Sequence, residues 1–444
     1  MENNLPPPKK EFPRKLILIA GGILLLIILL ILAFTLFRPK GSEQAGEIVW
    51  WGLWEDNSAI QPLIDEYQAK NPKINIKYVR QSKEDYRERL TNSLAKGQGP
   101  DIFRFHNSWA SMFTKELDKM PASVYSASDF AQKFYPVMVS DLTYGASIVG
   151  LPLMYDGITL YINEEIFEKS GKSVPSTWNE LRQIARELTI KDERNTITQA
   201  GVALGRTENV DHWPEILGLM MLQNGVDLTK PTGKLAEDAL EFFTLFSKDD
   251  GVWDTTLPSS TVAFAAGKTA MYFGPSWRAF EIRQQNPNLK FKTVPLPQLP
   301  KTEANEIDVT YASYWAEGVW TRSTKKAAAW DFLKFLSQKE SLEKLYNNSS
   351  KQRMFGEIYP MTDMESLLST HPIAGSVVNQ AKYAQSWYLQ SRTWDGPTGI
   401  NTQINKYFED AINAVNQGKT PDKALEPVAD GVSQVLSQYG IRIR

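Results

Sequence analysis

"EIVWWGLWEDNSAIQPLIDEYQAKNPKINIKYVRQSKEDYRERLTNSLAKGQGPDIFRF", residues 47–105, switches four times between two apolar periods. Its first eight residues read as an apolar and aromatic strand. Ile60, Leu63, Ile64 and Tyr67 then fall at i, i+3, i+4 and i+7, one face of a helix that Asn71-Pro72 ends. Ile74, Ile76 and Tyr78 alternate with polar residues as a second strand. Tyr86, Leu90 and Leu94 mark a second helix, residues 97–100 break it, and "DIFRF" supplies a third strand. The order βαβαβ implies an α/β fold with a largely parallel sheet, and ligands of such sheets sit beyond the carboxyl ends of the strands. Residues 51–55 and 105–109 occupy those ends.

Further along, "GLPLMYDGITLYINEEIF" (residues 150–167) places one carboxylate, Asp156, inside an apolar run beside Gly157. "SVPSTWNELRQIAREL" carries Thr177 and Glu180 at capping-box spacing, with Trp178, Leu181, Ala185 and Leu188 on one helical face, so Trp178 reads as a core residue. "AFAAGKTAMYF" reads as helix, glycine turn and strand, and "DVTYASYWAEGVW" as an aromatic strand pair.

At 444 residues the chain is long enough for two or more cores. Lys and Arg number 49 against 51 Asp and Glu, which leaves no excess positive field for nucleic acid. The absence of cysteine excludes disulfides, thiolate catalysis, Cys-ligated zinc and an N-terminal lipidated cysteine.

Residues 16–37 are uncharged for 22 positions, about 33 Å as a helix, enough to span a bilayer core of about 30 Å. Lys9, Lys10, Arg14 and Lys15 precede the run while only Arg38 and Lys40 follow closely. The positive-inside bias therefore places residues 1–15 in the cytoplasm and the bulk of the chain outside. The run exceeds a usual signal-peptide h-region and "LAFTLFRPKG" lacks a small-x-small cleavage site, so an uncleaved anchor is expected, with 38–46 as a short linker.

The residues of hydrolytic or redox chemistry do not assemble. His106, His212 and His371 are isolated, and no G-x-S-x-G or phosphate-binding loop occurs. No catalytic residue, metal or cofactor is expected, although a glycosidase pair among 51 acids stays open. Aromatic residues are abundant, with 13 Trp, 17 Tyr and 20 Phe. Several stand at strand ends or Gly/Pro turns instead of helix faces: Trp54, Trp109, Tyr155, Trp277, Trp315 and Trp394, near Glu55, Asn107, Asp156 and Asp395. Sugars present apolar C–H faces to such rings and hydroxyls to such polar groups. For any one of them, packing in the core is at least an equal reading.

"GLPLMYDGITLYINEEIFEKSGKSVPSTWNELRQIA" resembles the G-x-P, Y-N-x-x-x-F-x-x-x-G and P-x-T-W-x-E-L signature of the family 1 extracellular solute-binding proteins, the carbohydrate-type receptors of ABC importers that include maltose-binding protein. "AKGQGPDIFRF", "VAFAAGKTAMYFGPSW" and "KKAAAWDFLKFLSQKES" resemble three further blocks of that family in the same order, and together the blocks span most of the chain from Glu47. The chain departs from the family pattern in having an anchor and no lipid-modified cysteine.

The resemblance implies a two-lobed α/β fold of the periplasmic-binding-protein type (type II), with ligand in a cleft between lobes that close about a hinge. It implies crossings near 155–158, 294–300 and 336–340, hence lobe one at 47–154 and 299–335 and lobe two at 155–298 and 336–444. Carried over by position, Trp54 and Glu55 lie on the first binding loop, Asn107 and Trp109 on the loop after "DIFRF", and Tyr155 and Asp156 at the hinge edge. Trp213, Trp277, Tyr314, Trp315 and Trp394 match regions that supply stacking or wall residues, with Trp387 competing with Trp394. The implied function is an anchored extracellular receptor, a monomer and not an enzyme, that binds a sugar or oligosaccharide and delivers it to ABC permease subunits. An anchored glycan-active enzyme, a glycan adhesin, and a receptor for a polyamine or glycerophosphodiester are the alternatives.

Overall fold

The computed structural model describes residues 46–301 and 306–441. The anchor expected at 16–37 and its flanking segments up to residue 45 lie outside the described residues. Among the described residues no helix is long and apolar enough to cross a membrane.

The first sheet forms from the segment that opened the sequence reading. Glu47–Gly52 runs parallel to both Asn75–Arg80 and Ile102–His106, and Trp315–Val319 adds antiparallel on the outer side of Ile102–His106. The helix Asn57–Lys70 starts at Asp56, whose side chain accepts from the Ser58 N–H, and buries Ala59, Ile60, Leu63, Ile64 and Tyr67 as its apolar period requires. Tyr86–Ala95 buries Tyr86, Leu90 and Leu94 in the same way.

The second sheet has the order Phe291–Val294, Ile158–Asn163, Thr269–Pro275, Ile197–Val202, Ile190–Lys191. Ile158–Asn163 is flanked by antiparallel strands on both sides and all six of its residues are buried, so it reads as a continuous apolar run with little alternation. The capping box of Thr177 and Glu180 is formed, and Trp178 stacks on Phe273 at a centroid distance of 5.6 Å in the second core, as its helix face required.

Three segments lie side by side between the lobes. Gly157 bridges to Ala312, and Thr310–Tyr311 pairs in parallel with Ala384–Gln385. Ala312 N–H donates to Gln385 O at 2.8 Å and Ser313 N–H to Asp156 O at 3.0 Å. The packing is close: a Cβ at Gly157 would stand 2.5 Å from Tyr311 O.

Two expectations need correction. The third crossing lies in residues 361–385 and not near 336–340, because Lys339–Ser350 stays with the first lobe. Its Leu342 and Leu345 enter the first core, Lys344 pairs with Glu66 at 2.6 Å, and Asn348 Nδ2 donates to Ala59 O at 3.2 Å. The chain reaches the second sheet at Ala374–Gln380, where Ser376 Oγ lies 2.7 Å from Thr159 Oγ1. Nor do Thr310–Tyr311 and Trp315–Val319 pair with each other. The chain passes from hinge to first sheet between them, and each pairs with a strand of its own region.

Candidate functional site

The strand register of the first sheet builds one wall of a cleft of about 890 Å³. His106 stands opposite Trp315 and Arg104 opposite Glu317. Beyond the carboxyl end of Ile102–His106, Trp315 meets His106 and Trp109 at 5.1 Å each and Trp54 at 5.5 Å, all edge to face. All four rings line the cleft. Below them the Arg104 guanidinium, 1% exposed, is clamped between Glu55 and Glu317; its Nε donates to Glu317 Oε1 at 2.7 Å. Trp50 Nε1 also donates to Glu317, at 2.9 Å. Burial alone would push the Glu55 carboxyl up, but the Arg104 charge and its hydrogen bond bring it below the usual range. Burial keeps Glu317 raised despite the same arginine.

Glu55 therefore does not face the cleft, contrary to expectation: a buried arginine two residues before His106 claims it. Asn107 is also occupied away from the cleft lining. Its Nδ2 donates to Asp141 Oδ2 at 2.9 Å and its Oδ1 accepts from the Tyr314 N–H at 3.3 Å. Asp141 further accepts from Tyr314 Oη at 3.0 Å and Ser386 Oγ at 2.6 Å, which joins the first wall to two hinge segments. Burial raises the Asp141 carboxyl to about 6.

At the hinge edge Tyr155 and Asp156 line the cleft, as does Tyr314. The Tyr155 ring packs on Tyr135 at 5.0 Å. Asp156 Oδ1 accepts from the Gly157 N–H at 2.8 Å and the Ser276 N–H at 3.1 Å, and Oδ2 accepts from Ser276 Oγ at 2.8 Å. The carboxylate thus caps its own turn and ties the first crossing to the end of Thr269–Pro275. Burial pushes it up to about 7 against these hydrogen bonds.

The opposite wall is polar. Trp277, 37% exposed, carries the Arg278 guanidinium carbon 4.5 Å from its ring centre. Arg278 Nε donates to His212 Nε2 at 2.9 Å, so the neutral imidazole holds its proton on Nδ1, 2.8 Å from Ser391 Oγ. Burial, and next the Arg278 charge, hold His212 well below its ordinary value. Glu215 Oε1 accepts from Ser391 N–H at 2.6 Å and Oγ at 2.9 Å, and burial raises this carboxyl to about 7. Gln390, Asn401 and Asn405 complete the wall.

Of the aromatic candidates on this side, Trp277 and Trp394 line the cleft, the latter 54% exposed at its lip. Trp213 does not: it opens the helix Trp213–Gln223 and packs into the second core. Trp387 packs edge to face on Phe408 at 6.3 Å, outside the cleft lining, which separates it from Trp394. Sequence reading missed Arg278, Glu215, Gln390, Asn401 and Asn405. Arg278 adjoins Trp277 in "GPSWR", and Asn401 and Asn405 share a helix face at i, i+4, but neither pattern distinguishes a cleft wall from a solvated surface. Among the described residues no group of three or more His, Asp and Glu side chains is placed to hold a metal ion.

Known proteins share this architecture. The structure matches that of a cyclo/maltodextrin-binding protein complexed with maltotetraose with a TM-score of 0.71 at 18% identity, covering 89% of this chain and 99% of that one. It matches the sugar-binding protein MalE from Xanthomonas citri with a TM-score of 0.70 at 17% identity, covering 88% and 98%. In sequence the chain is 23% identical to the maltotriose-binding protein of Pyrococcus abyssi over 82% of this chain and 78% of that protein. It is 23% identical to the multiple sugar-binding protein of Streptococcus mutans over 66% and 71%. Residues 62–352 match the family model described as bacterial extracellular solute-binding protein. With two lobes, three crossing segments and a cleft between an aromatic and a polar wall, the chain belongs to the bacterial extracellular solute-binding protein family.

Proposed function

We propose that this protein captures a sugar or oligosaccharide outside the cell and delivers it to the permease of an ABC importer, held at the membrane by residues 16–37. The observation that carries this reading is the pairing of walls around the cleft: Trp54, Trp109, Trp315 and His106 on one side, and Glu215, Arg278, Gln390 and Asn401 on the other. Rings take the C–H face of a pyranose, and the polar wall takes its hydroxyls. The relatives named for maltotriose and for multiple sugars support the same ligand class. Asp156, Glu215, Glu281 and Glu357 line the cleft beside an equal number of cations, Lys83, Arg278, Arg353 and Arg392, so the lining carries no acidic excess to favour a polyamine.

Binding would select a closed arrangement in which both walls touch one ligand, with no bond made or broken. Thermal unfolding of the full-length protein against neutral oligosaccharides, a polyamine and a glycerophosphodiester tests the reading. Stabilisation by at least one oligosaccharide is expected, and stabilisation by the polyamine alone would overturn it. The anchor is tested by membrane fractionation: the full chain should sediment with membranes and resist carbonate extraction, and a variant lacking residues 1–45 should not.

A further inference from the structure

The parallel strands of the first sheet carry the cleft at their carboxyl ends, Gly52, Arg80 and His106. Their amino ends, Glu47, Asn75 and Ile102, carry the loops of the opposite face. Trp315–Val319 runs the other way and so ends on that face too, with Val319 opposite Ile102. Contacts between the loops knit the face together. Trp320 N–H donates to Asp101 O at 2.9 Å and Thr321 N–H to Glu116 O at 2.8 Å. Arg322 donates to Leu94 O near the end of Tyr86–Ala95 and lies 4.8 Å from the Trp320 ring centre. The acids of these loops are taken. Glu47 pairs with Lys77 at 3.7 Å, Asp101 with Lys325 at 3.3 Å and Asp118 with Lys326 at 3.1 Å, and Glu116 accepts from Trp320 Nε1 at 2.9 Å. Lys96, Lys115, Lys119 and Arg322 stand exposed on the same loops, and among the described residues none of them pairs with a carboxylate. The face therefore holds a local positive surplus in a chain whose net charge is -2.

We propose that this face docks on the anionic phospholipid headgroups of the membrane that anchors the chain, and that docking turns the cleft away from the bilayer. The proposal rests on the reading of residues 16–37 as an anchor and adds how the receptor stands on it. Two observations choose the partner. The fold begins on this face, at Glu47, and residues 38–46 reach at most about 30 Å when fully extended, so the tether holds the cations at high effective concentration over the lipid. The surplus consists mainly of exposed lysines, flexible point charges that meet scattered lipid phosphates without a shaped pocket. Such attraction is screened within about 10 Å at 0.1 M salt, so the contact is reversible and the receptor is free to leave it for a permease. While docked, it presents the open side of the sheet, and the cleft beyond it, to the solution from which ligand is captured.

Energy transfer from the labelled full-length protein to headgroup-labelled lipid in liposomes tests it. The chain has no cysteine, so Gln98→Cys gives a single label on the face. Glu84→Cys gives one beyond the carboxyl end of Asn75–Arg80, about 20 Å farther along the strands. Transfer from position 98 should be stronger in liposomes containing phosphatidylglycerol than in phosphatidylcholine alone, and should exceed transfer from position 84. About 1 M salt, which shortens the screening length to about 3 Å, should remove the gain. Lys96→Gln, Lys115→Gln and Lys119→Gln together remove side chains that hold no hydrogen bond or ion pair, and should lower the ratio of docked to free protein about ten-fold or more. Circular dichroism checks that this variant folds, and the lipid and salt comparisons on the parent decide the matter if it does not. Equal transfer in both lipids, stronger transfer from position 84, or a folded variant that behaves like the parent overturns the docking and leaves the anchor standing. Failure of the full chain to float with either liposome overturns both.

Discussion

Asp156 accepts three hydrogen bonds from Gly157 and Ser276, yet burial still pushes its carboxyl up to about 7. An unfolded aspartate titrates near 4. Between about pH 4 and 7 the folded protein therefore holds a proton that the unfolded chain has lost, and stability falls as pH rises through that window, levelling off above it. Asp141, raised to about 6, and Glu215, raised to about 7, act in the same direction. Denaturant melts from pH 4.5 to 8 should show Asp156→Asn with a shallower decline than the parent, by up to about 1.4 kcal/mol per pH unit while the group titrates. An unchanged slope would place the Asp156 proton elsewhere. At this scale the sequence told residue type and proximity to a turn, and Trp54, Trp109, Trp277 and Trp315 were legible as cleft residues for that reason. Glu55 was not, because its partner Arg104 is 49 positions away and Glu317 a further 213. Facing direction depends on such pairings, which no local pattern carries.

At the scale of elements, the βαβαβ segment was legible because its periods are local: Ile60, Leu63, Ile64 and Tyr67 define their helix face with no information from the rest of the chain. The third crossing was not, since Lys339–Ser350 presents the same amphipathic stripe whichever lobe receives it. The hinge yields a steric expectation. Gly157→Ala sets a methyl 2.5 Å from Tyr311 O, so the three hinge segments must separate, at a cost of about 1–3 kcal/mol measurable by urea unfolding. Beneath the aromatic wall, Arg104→Met leaves Glu55 and Glu317 buried without their cation. A loss of about 3–5 kcal/mol is expected in the same assay, and a loss below 1 kcal/mol would show that the two acids are neutral in the parent.

Across the whole molecule, the two walls come from different lobes and are joined in this structure by Asn401 and Ser108. Trp315→Ala removes the ring that the other three share, so glycan affinity should drop about ten-fold or more with little change in the lobes themselves. Fluorescence titration of that variant beside the parent measures this. The most direct measurement is a crystal structure of the protein with the oligosaccharide that stabilises it most. The sugar should lie between the lobes, one ring face on Trp54 and Trp315 and its hydroxyls within about 3 Å of Glu215, Gln390 and Asn405. A glycan bound outside the cleft, or in the cleft with no contact to the Trp54 and Trp315 wall, would contradict the account.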